Sequence, residues 1–263
     1  MLCTDFKKSH IADDRKQNKD KDMIDLRLGD CLEVMKTIED NSIDAIICDL
    51  PYGTTQNKWD SIIPFDLLWL QYERVIKDNG AIVLTAQQPF TSALIMSNPK
   101  IYKYNWVYQK NKSTGFLNAK RQPLNDYEDI CVFYKKQCTY NPQMTVAEKI
   151  YKRGEVKRKK SDCYGNEKDF KQVETGLRYP KRIQYFNNNK TQEQKHSTQK
   201  PLELLEYLVK TYTNENDTIL DNTMGSGTTM VACKKLGRNG IGIEKEEKYF
   251  KIAQERVNSF AQE

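Results

Sequence analysis

Thr218-Ile219-Leu220-Asp221-Asn222-Thr223-Met224-Gly225-Ser226-Gly227-Thr228-Thr229 carries a short apolar strand, a turn with two glycines and the start of a helix. The helical pattern runs to Leu236, and Gly237 stands where a left-handed residue closes a helix. Residues 241–243 form a second strand that ends at Glu244. Strand, crossover helix and strand make a βαβ unit, the building block of parallel sheet. The same alternation governs the other end of the chain. Ile24, Leu26 and Leu28 alternate with polar residues, and Leu32, Met35 and Ile38 follow at helical spacing. Ile43-Asp44-Ala45-Ile46-Ile47-Cys48 is apolar enough for a strand buried on both faces. Helices are expected over 65–76, 90–96, 201–212 and 246–259, strands over 81–85, 106–108 and 130–134, and a turn at Asn79-Gly80. The expected fold is α/β, with a doubly wound, mostly parallel sheet.

In open parallel sheets ligands collect at the carboxyl ends of the strands. Two loops qualify: Asp49-Leu50-Pro51-Tyr52-Gly53 and the glycine turn from Asp221 to Thr229. Both would lie on one sheet edge despite their separation in sequence. Glycines let backbone approach a ligand, and the helix start behind them favours negative charge. No Gly-Lys-Ser/Thr follows, so the turn is not a phosphate P-loop; a lone Gly-x-Gly is also a common tight turn. Glu244, one strand on, is placed to accept hydrogen bonds from both hydroxyls of a ribose. Its competing reading is an acid at a helix N-terminus. Together these residues suggest an adenosine-type cofactor.

The Asp49 loop suggests chemistry on an amino group. An exocyclic amine of an aromatic base is a poor nucleophile because its lone pair is delocalised. Two acceptors on its two N–H bonds draw the nitrogen toward tetrahedral geometry and localise the pair. The Asp49 carboxylate and the Leu50 carbonyl could supply them, with Pro51 biasing Leu50 toward extended geometry. Tyr52 could stack on the base, worth roughly 1–3 kcal/mol. The competing reading is a turn with a buried tyrosine.

Composition sets the bounds. The 263 residues are enough for one large domain, or for one domain with an inserted module. No apolar run reaches the length of a membrane span, and residues 1–22 are polar with no signal-peptide core. The chain is expected to stay in the cytoplasm, with 1–22 a disordered extension. Seven cysteines without a CxxC pair and two histidines outside any ligand pattern argue against a disulfide framework and a metal site. The net charge of +6 is uneven: residues 151–200 hold 14 Lys and Arg against six acids, leaving the remainder slightly acidic. A basic stretch on a near-neutral body suits a polyanion, though a solvated loop would look the same.

These residues carry a family resemblance. Asp49-Leu50-Pro51-Tyr52 resembles the DPPY motif of amino-group DNA methyltransferases, and Asp221 to Thr229 resembles their D-x-F-x-G-S-G-T-T cofactor loop. The catalytic motif precedes the cofactor motif, as in the circularly permuted beta subgroup. His196-Ser197-Thr198-Gln199-Lys200-Pro201 is similar to that subgroup's Thr-x-Lys-Pro signature, and Gly29-Asp30-Cys31 to its adenine-side segment. The likeness covers about 23–137 and 196–258. Leu50 departs from the family's first proline and Met224 from its phenylalanine.

The resemblance implies a Rossmann-like fold, S-adenosylmethionine as cofactor and double-stranded DNA as substrate. Asp49, Leu50, Pro51 and Tyr52 would be catalytic. Asp30, Cys31, Asp49, Thr198, Lys200, Pro201, Asp221, Met224, Gly225, Ser226, Gly227, Thr228, Thr229 and Glu244 would hold the cofactor. No metal and no cysteine nucleophile are required. The implied division is a catalytic half over 23–138, a basic target-recognition insertion over 139–195 and a cofactor half over 196–263. An aspartate at the first motif position resembles adenine-specific members; cytosine-N4 methylation and a non-catalytic nucleic-acid-binding protein stay open as alternatives. A homodimer and a cognate restriction enzyme are further implied partners.

Overall fold

β2 (Ile43–Asp49) organises the molecule. Ala45 and Ile47 join one buried cluster, while Ile46 and Cys48 join another. This two-sided burial is the period of a strand with apolar layers on both faces. A computed structural model describes residues 24–54, 60–147, 176–187 and 199–259. Its first elements are β1 (Ile24–Leu28), α1 (Cys31–Met35), β2, α2 (Phe65–Val75), β3 (Ile76–Ala86), α3 (Phe90–Ser97), β4 (Tyr102–Thr114) and β5 (Asn125–Phe133). Short strands β6 (Thr145–Val146), β7 (Leu177–Arg178) and β8 (Ile183–Phe186) follow. The last part holds α4 (Leu202–Tyr212), β9 (Thr218–Asp221), α5 (Thr228–Lys235), β10 (Asn239–Glu244) and α6 (Glu247–Ser259).

The main sheet runs β1-β10-β9-β2-β3-β5-β4-β8. Only β5 opposes the other strands. α4, α5 and α6 pack on one face, burying Leu204, Leu208, Met230 and Val257. α1, α2 and α3 cover the other with Met35, Leu68, Tyr72 and Leu94. The expected doubly wound sheet is therefore present, as a three-layer sandwich.

The key junction is the parallel pairing of β2 with β9, Ala45 beside Ile219 and Ile46 beside Leu220. From β9 the chain crosses through α5 to β10; from β2 it crosses through α2 to β3, on the opposite face. Strand order thus reverses between β2 and β9, and such a switch point opens a crevice at the carboxyl edge.

Two elements differ from the sequence reading. Asn79-Gly80 does not separate a helix from a strand: Ile76 already pairs with Ile43, and the next pair is Ala81 with Ala45. Residues 77–80 bow out as a bulge within β3. The bulge needs Gly80, where a Cβ would lie 2.8 Å from the Asp44 carbonyl and 2.7 Å from Ile76. The stretch 139–195, where no strand is expected, contributes β8, which extends the main sheet beside β4. The 1–22 extension and most of the basic stretch, 148–175 and 188–198, lie outside the described residues.

Gly227 caps α5 at φ +76°, and a Cβ there would sit 2.9 Å from the Ala253 Cβ on α6. Gly227→Ala combines left-handed strain with a clash between two helices, so a loss of about 1–3 kcal/mol is expected. Urea unfolding of the two proteins checks it; equal midpoints would refute the close-packing role.

Candidate active site

The crevice at the β2–β9 switch point is a cleft of about 270 Å³. One wall begins at Asp221, the last residue of β9, which is buried and accepts the Thr223 amide at 3.2 Å. Burial pushes the Asp221 carboxyl up to about 7. Gly225 follows at φ +52°, with open space where a side chain would stand. Glu244 ends β10 and accepts the Gly225 amide at 3.0 Å and the Glu246 amide at 2.8 Å. Glu244 thus caps the approach to α6, and it also lines the cleft. Burial raises its carboxyl, while those amide hydrogen bonds act in the other direction.

Several loop residues face inward. Met224 is buried and packs its sulfur over Gly242, where a Cβ would come within 2.4 Å. The Ser226 hydroxyl donates to the Gln199 side chain at 3.2 Å. Arg256, which the sequence reading missed, donates to the Ser226 carbonyl at 2.6 Å and to the Thr228 hydroxyl at 3.1 Å. Nothing in an amphipathic helix marks one arginine as a clamp. Asp30 caps α1 by accepting the Leu32 amide at 2.9 Å, and with Cys31 it lines the cleft. Thr229 and Thr228 are buried in the same wall. Thr198 lies outside the described residues.

The opposite wall is the end of β2. The Thr223 hydroxyl donates to the Asp49 carbonyl at 3.0 Å, tying the two loops directly. The Asp49 carboxylate is heavily held. Oδ1 accepts the Tyr52 hydroxyl at 2.8 Å and the Thr85 hydroxyl, and Oδ2 meets Lys200 Nζ at 2.7 Å. Leu50 is buried and Pro51 half-buried, both against the cleft. The Tyr52 ring packs on Phe90 at 5.2 Å, and Lys200 Nζ lies 5.6 Å from its centroid. Burial raises the Tyr52 hydroxyl well above its ordinary range, and the Asp49 charge adds to this.

Lys200 stands with the Asp49 loop. Besides Asp49 it contacts Glu128 at 3.0 Å, and Glu128 also pairs with Lys110 at 2.9 Å. Burial alone would lower the Lys200 ammonium; Asp49, Tyr52 and Glu128 raise it well above its usual value. Burial works against the Glu128 carboxylate too, and the two lysines hold it below its ordinary range. The sequence reading passed over Glu128. Its signal is an acid at the head of the apolar run Ile130-Cys131-Val132-Phe133, where a charge needs a partner. Pro201, next in the chain, caps α4.

Comparison with known proteins decides what this cleft belongs to. The model of a DNA methylase family, that of the N6 and N4 methyltransferases, matches residues 43–255. The chain belongs to this DNA methylase family. The methylase is 31% identical over 246 residues to the type II methyltransferase M.HpaI of Haemophilus parainfluenzae, covering 88% of this chain and 73% of that one. It is 28% identical to M1.MboII of Moraxella bovis, over 83% and 90% of the two chains. Among solved structures it superposes on an M1.HpyAVI complex with S-adenosylmethionine at a TM-score of 0.61, with 28% identity and coverage of 89% and 99%. The cytosine-N4-specific PvuII methyltransferase shares the fold at a TM-score of 0.62 with 12% identity. The expected class, a DNA methyltransferase dependent on S-adenosylmethionine, therefore holds. Among the described residues no helix is long and apolar enough to cross a membrane.

The cleft fits that cofactor. The Asn222 amide nitrogen is buried without a partner among the described residues, and Asn222 lines the cleft. Donor, carboxylate acceptors and the open cradle at Gly225 together match a nucleoside joined to a cationic amino acid.

Proposed function

We propose that the methylase transfers a methyl group to adenine N6 in double-stranded DNA. The observation that carries this reading is Asp49, whose carboxylate faces the same cleft as Gly225 and whose carbonyl is bonded to Thr223. Bound S-adenosylmethionine supplies an electrophilic methyl group. Glu244 would take the ribose hydroxyls, Asp221 the amino end, and Gly225 the close approach of the chain between them. Asp30 and Cys31 would flank the adenine.

A carboxylate offers about four acceptor sites. Tyr52 and Thr85 occupy Oδ1 and Lys200 occupies one site on Oδ2. One site on Oδ2 is left for an N–H of the target amino group, with the Leu50 carbonyl for the other. Fixed acceptors aimed at the developing positive charge need no reorganisation during transfer. Tyr52 orients Asp49 through its hydroxyl and offers its ring to the flipped base. Residues 139–195 would read the recognition sequence through a basic surface, making binding salt-sensitive. The likeness to type II methyltransferases supports reading the methylase as a cytoplasmic homodimer that protects DNA against a restriction enzyme of the same specificity.

DNA incubated with methyl-labelled cofactor, digested and resolved as nucleosides, should carry label in N6-methyldeoxyadenosine. Label in N4-methyldeoxycytidine would overturn the base assignment, and unlabelled DNA the activity.

Asp221 gives a pH signature. With its carboxyl near 7 before binding, the ionised form that attracts a cationic end is lost as pH falls below 7. Cofactor affinity should therefore weaken between pH 7 and 5.5, by at most about tenfold per unit. Calorimetric titration reads this, and Asp221→Asn should flatten the slope. A flat profile in the unsubstituted protein would remove Asp221 from the cofactor side.

A further inference from the structure

The hairpin of β4 and β5 leaves the sheet at the catalytic edge. Thr85 pairs with Ile130 and Ala86, the end of β3, with Asp129, so the start of β5 projects past β3. Glu128, in the ion-pair chain to Asp49, lies just beyond that level. Asn125 is three residues farther out, about 10 Å at strand rise. Beyond it Gly115 turns at φ +86°, and bonds from Asn118 to Gly115 (2.9 Å), Ala119 to Phe116 (3.1 Å) and Arg121 to Asn118 (2.8 Å) wind the tip into successive tight turns. The tip is a built structure at the end of an arm.

That structure presents Phe116 at 81% and Leu117 at 100% exposure, with Lys120 and Arg121 exposed beside them. Single exposed apolar side chains are ordinary. Two adjacent ones on a braced turn, flanked by cations and projecting from a catalytic edge, are the parts of a wedge for nucleic acid: apolar groups enter a base stack while cations hold phosphates. The neighbouring strand agrees. β8, from the basic stretch, runs beside β4 as far as Lys110 opposite Phe186, and Asn111 donates to Asn187 at 2.6 Å. The arm's reach of about 10 Å matches the roughly 7.5–8.5 Å depth of the DNA grooves.

We propose that the 115–124 tip is a DNA wedge: Leu117 and Phe116 fill the gap that the flipped target base leaves in the duplex, and Lys120 and Arg121 grip the flanking phosphates. This rests on the methylation of duplex DNA proposed above. Extruding a base costs a few kcal/mol, least for a base already unpaired. The wedge offsets that cost, so it matters for a paired target and not for an unpaired one.

The test uses a duplex bearing the site mapped from modified bases, once fully paired and once with an abasic position opposite the target. Phe116→Ser/Leu117→Ser should slow methylation of the paired duplex by about tenfold or more and suppress the fluorescence rise of 2-aminopurine at the target, while the unpaired duplex reacts near the unsubstituted rate. Leu117→Met should behave as the unsubstituted protein. Equal rates on the paired duplex, or equal loss on both duplexes, would overturn the wedge. So would a change in sedimentation of the double variant, which would assign the tip to contact between two copies. Failure of the unsubstituted protein on both duplexes would instead sink the methylation reading and the wedge with it.

Discussion

Replacing Asp49 with Asn should lower kcat by about 10²–10³-fold while cofactor affinity stays near that of the unsubstituted protein. The amide keeps the size of the carboxylate and one acceptor oxygen. It loses the charge that offsets positive charge growing on the attacked nitrogen. It also turns a donor toward one neighbour, and Tyr52, Thr85 and Lys200 all donate here. The acceptor array must break somewhere. Lys200 retains Glu128, so the buried ammonium is not abandoned and the fold should survive. Single-turnover methylation with saturating cofactor measures the effect, and equilibrium binding of the cofactor is the control. A rate within tenfold of the unsubstituted protein would refute Asp49 as the acceptor. Loss of cofactor binding in step with rate would move its role to the other wall.

Much of this was readable from residues alone, for physical reasons. β2 and β9 are short apolar runs ending in an acid before a tight turn, so strand, edge and loop are all encoded within about ten residues of each site. Gly227 was readable as a turn, but its contact with Ala253 depends on how α6 returns to α5. The β3 bulge hid because Asn79-Gly80 is as good a turn within a strand as between elements. β8 hid because four residues, alternately exposed and half-buried, carry little periodicity. Lys200 was legible as a motif residue, yet its partners Asp49 and Glu128 come from two other strands. Long-range ion pairs leave no local signature beyond the oddity of an acid entering an apolar strand.

Lys200 divides two accounts of the site. As a cofactor ligand it would act late, on binding alone. As the centre of the ion cluster it would support the resting structure. Lys200→Met removes the ammonium while keeping much of the side chain's bulk. Asp49 and Glu128 then face each other with no cation between them, although Glu128 keeps Lys110 and Asp49 keeps Tyr52 and Thr85. The expected cost at pH 7 is about 3 kcal/mol, the low end for breaking a buried pair. The pH dependence carries a sign. Glu128 is held below its ordinary range, so its contribution is present above pH 4.5 and fades as pH falls through its folded value. Lys200 is raised, so its contribution is complete below pH 10.5 and fades only at more alkaline pH. Both operate at pH 7, so the gap between variant and unsubstituted protein should be large there and narrow at an acidic pH below the folded Glu128 value. Adding Glu128→Gln to Lys200→Met removes one facing carboxylate and should recover part of the loss, although it strands Lys110 from its partner. Denaturant unfolding at the two pH values reads all of this. Unchanged stability at pH 7 with weaker cofactor binding would return Lys200 to the cofactor wall. A pH-independent loss would point to packing of the lysine stem and leave the ion cluster without a role in holding Asp49.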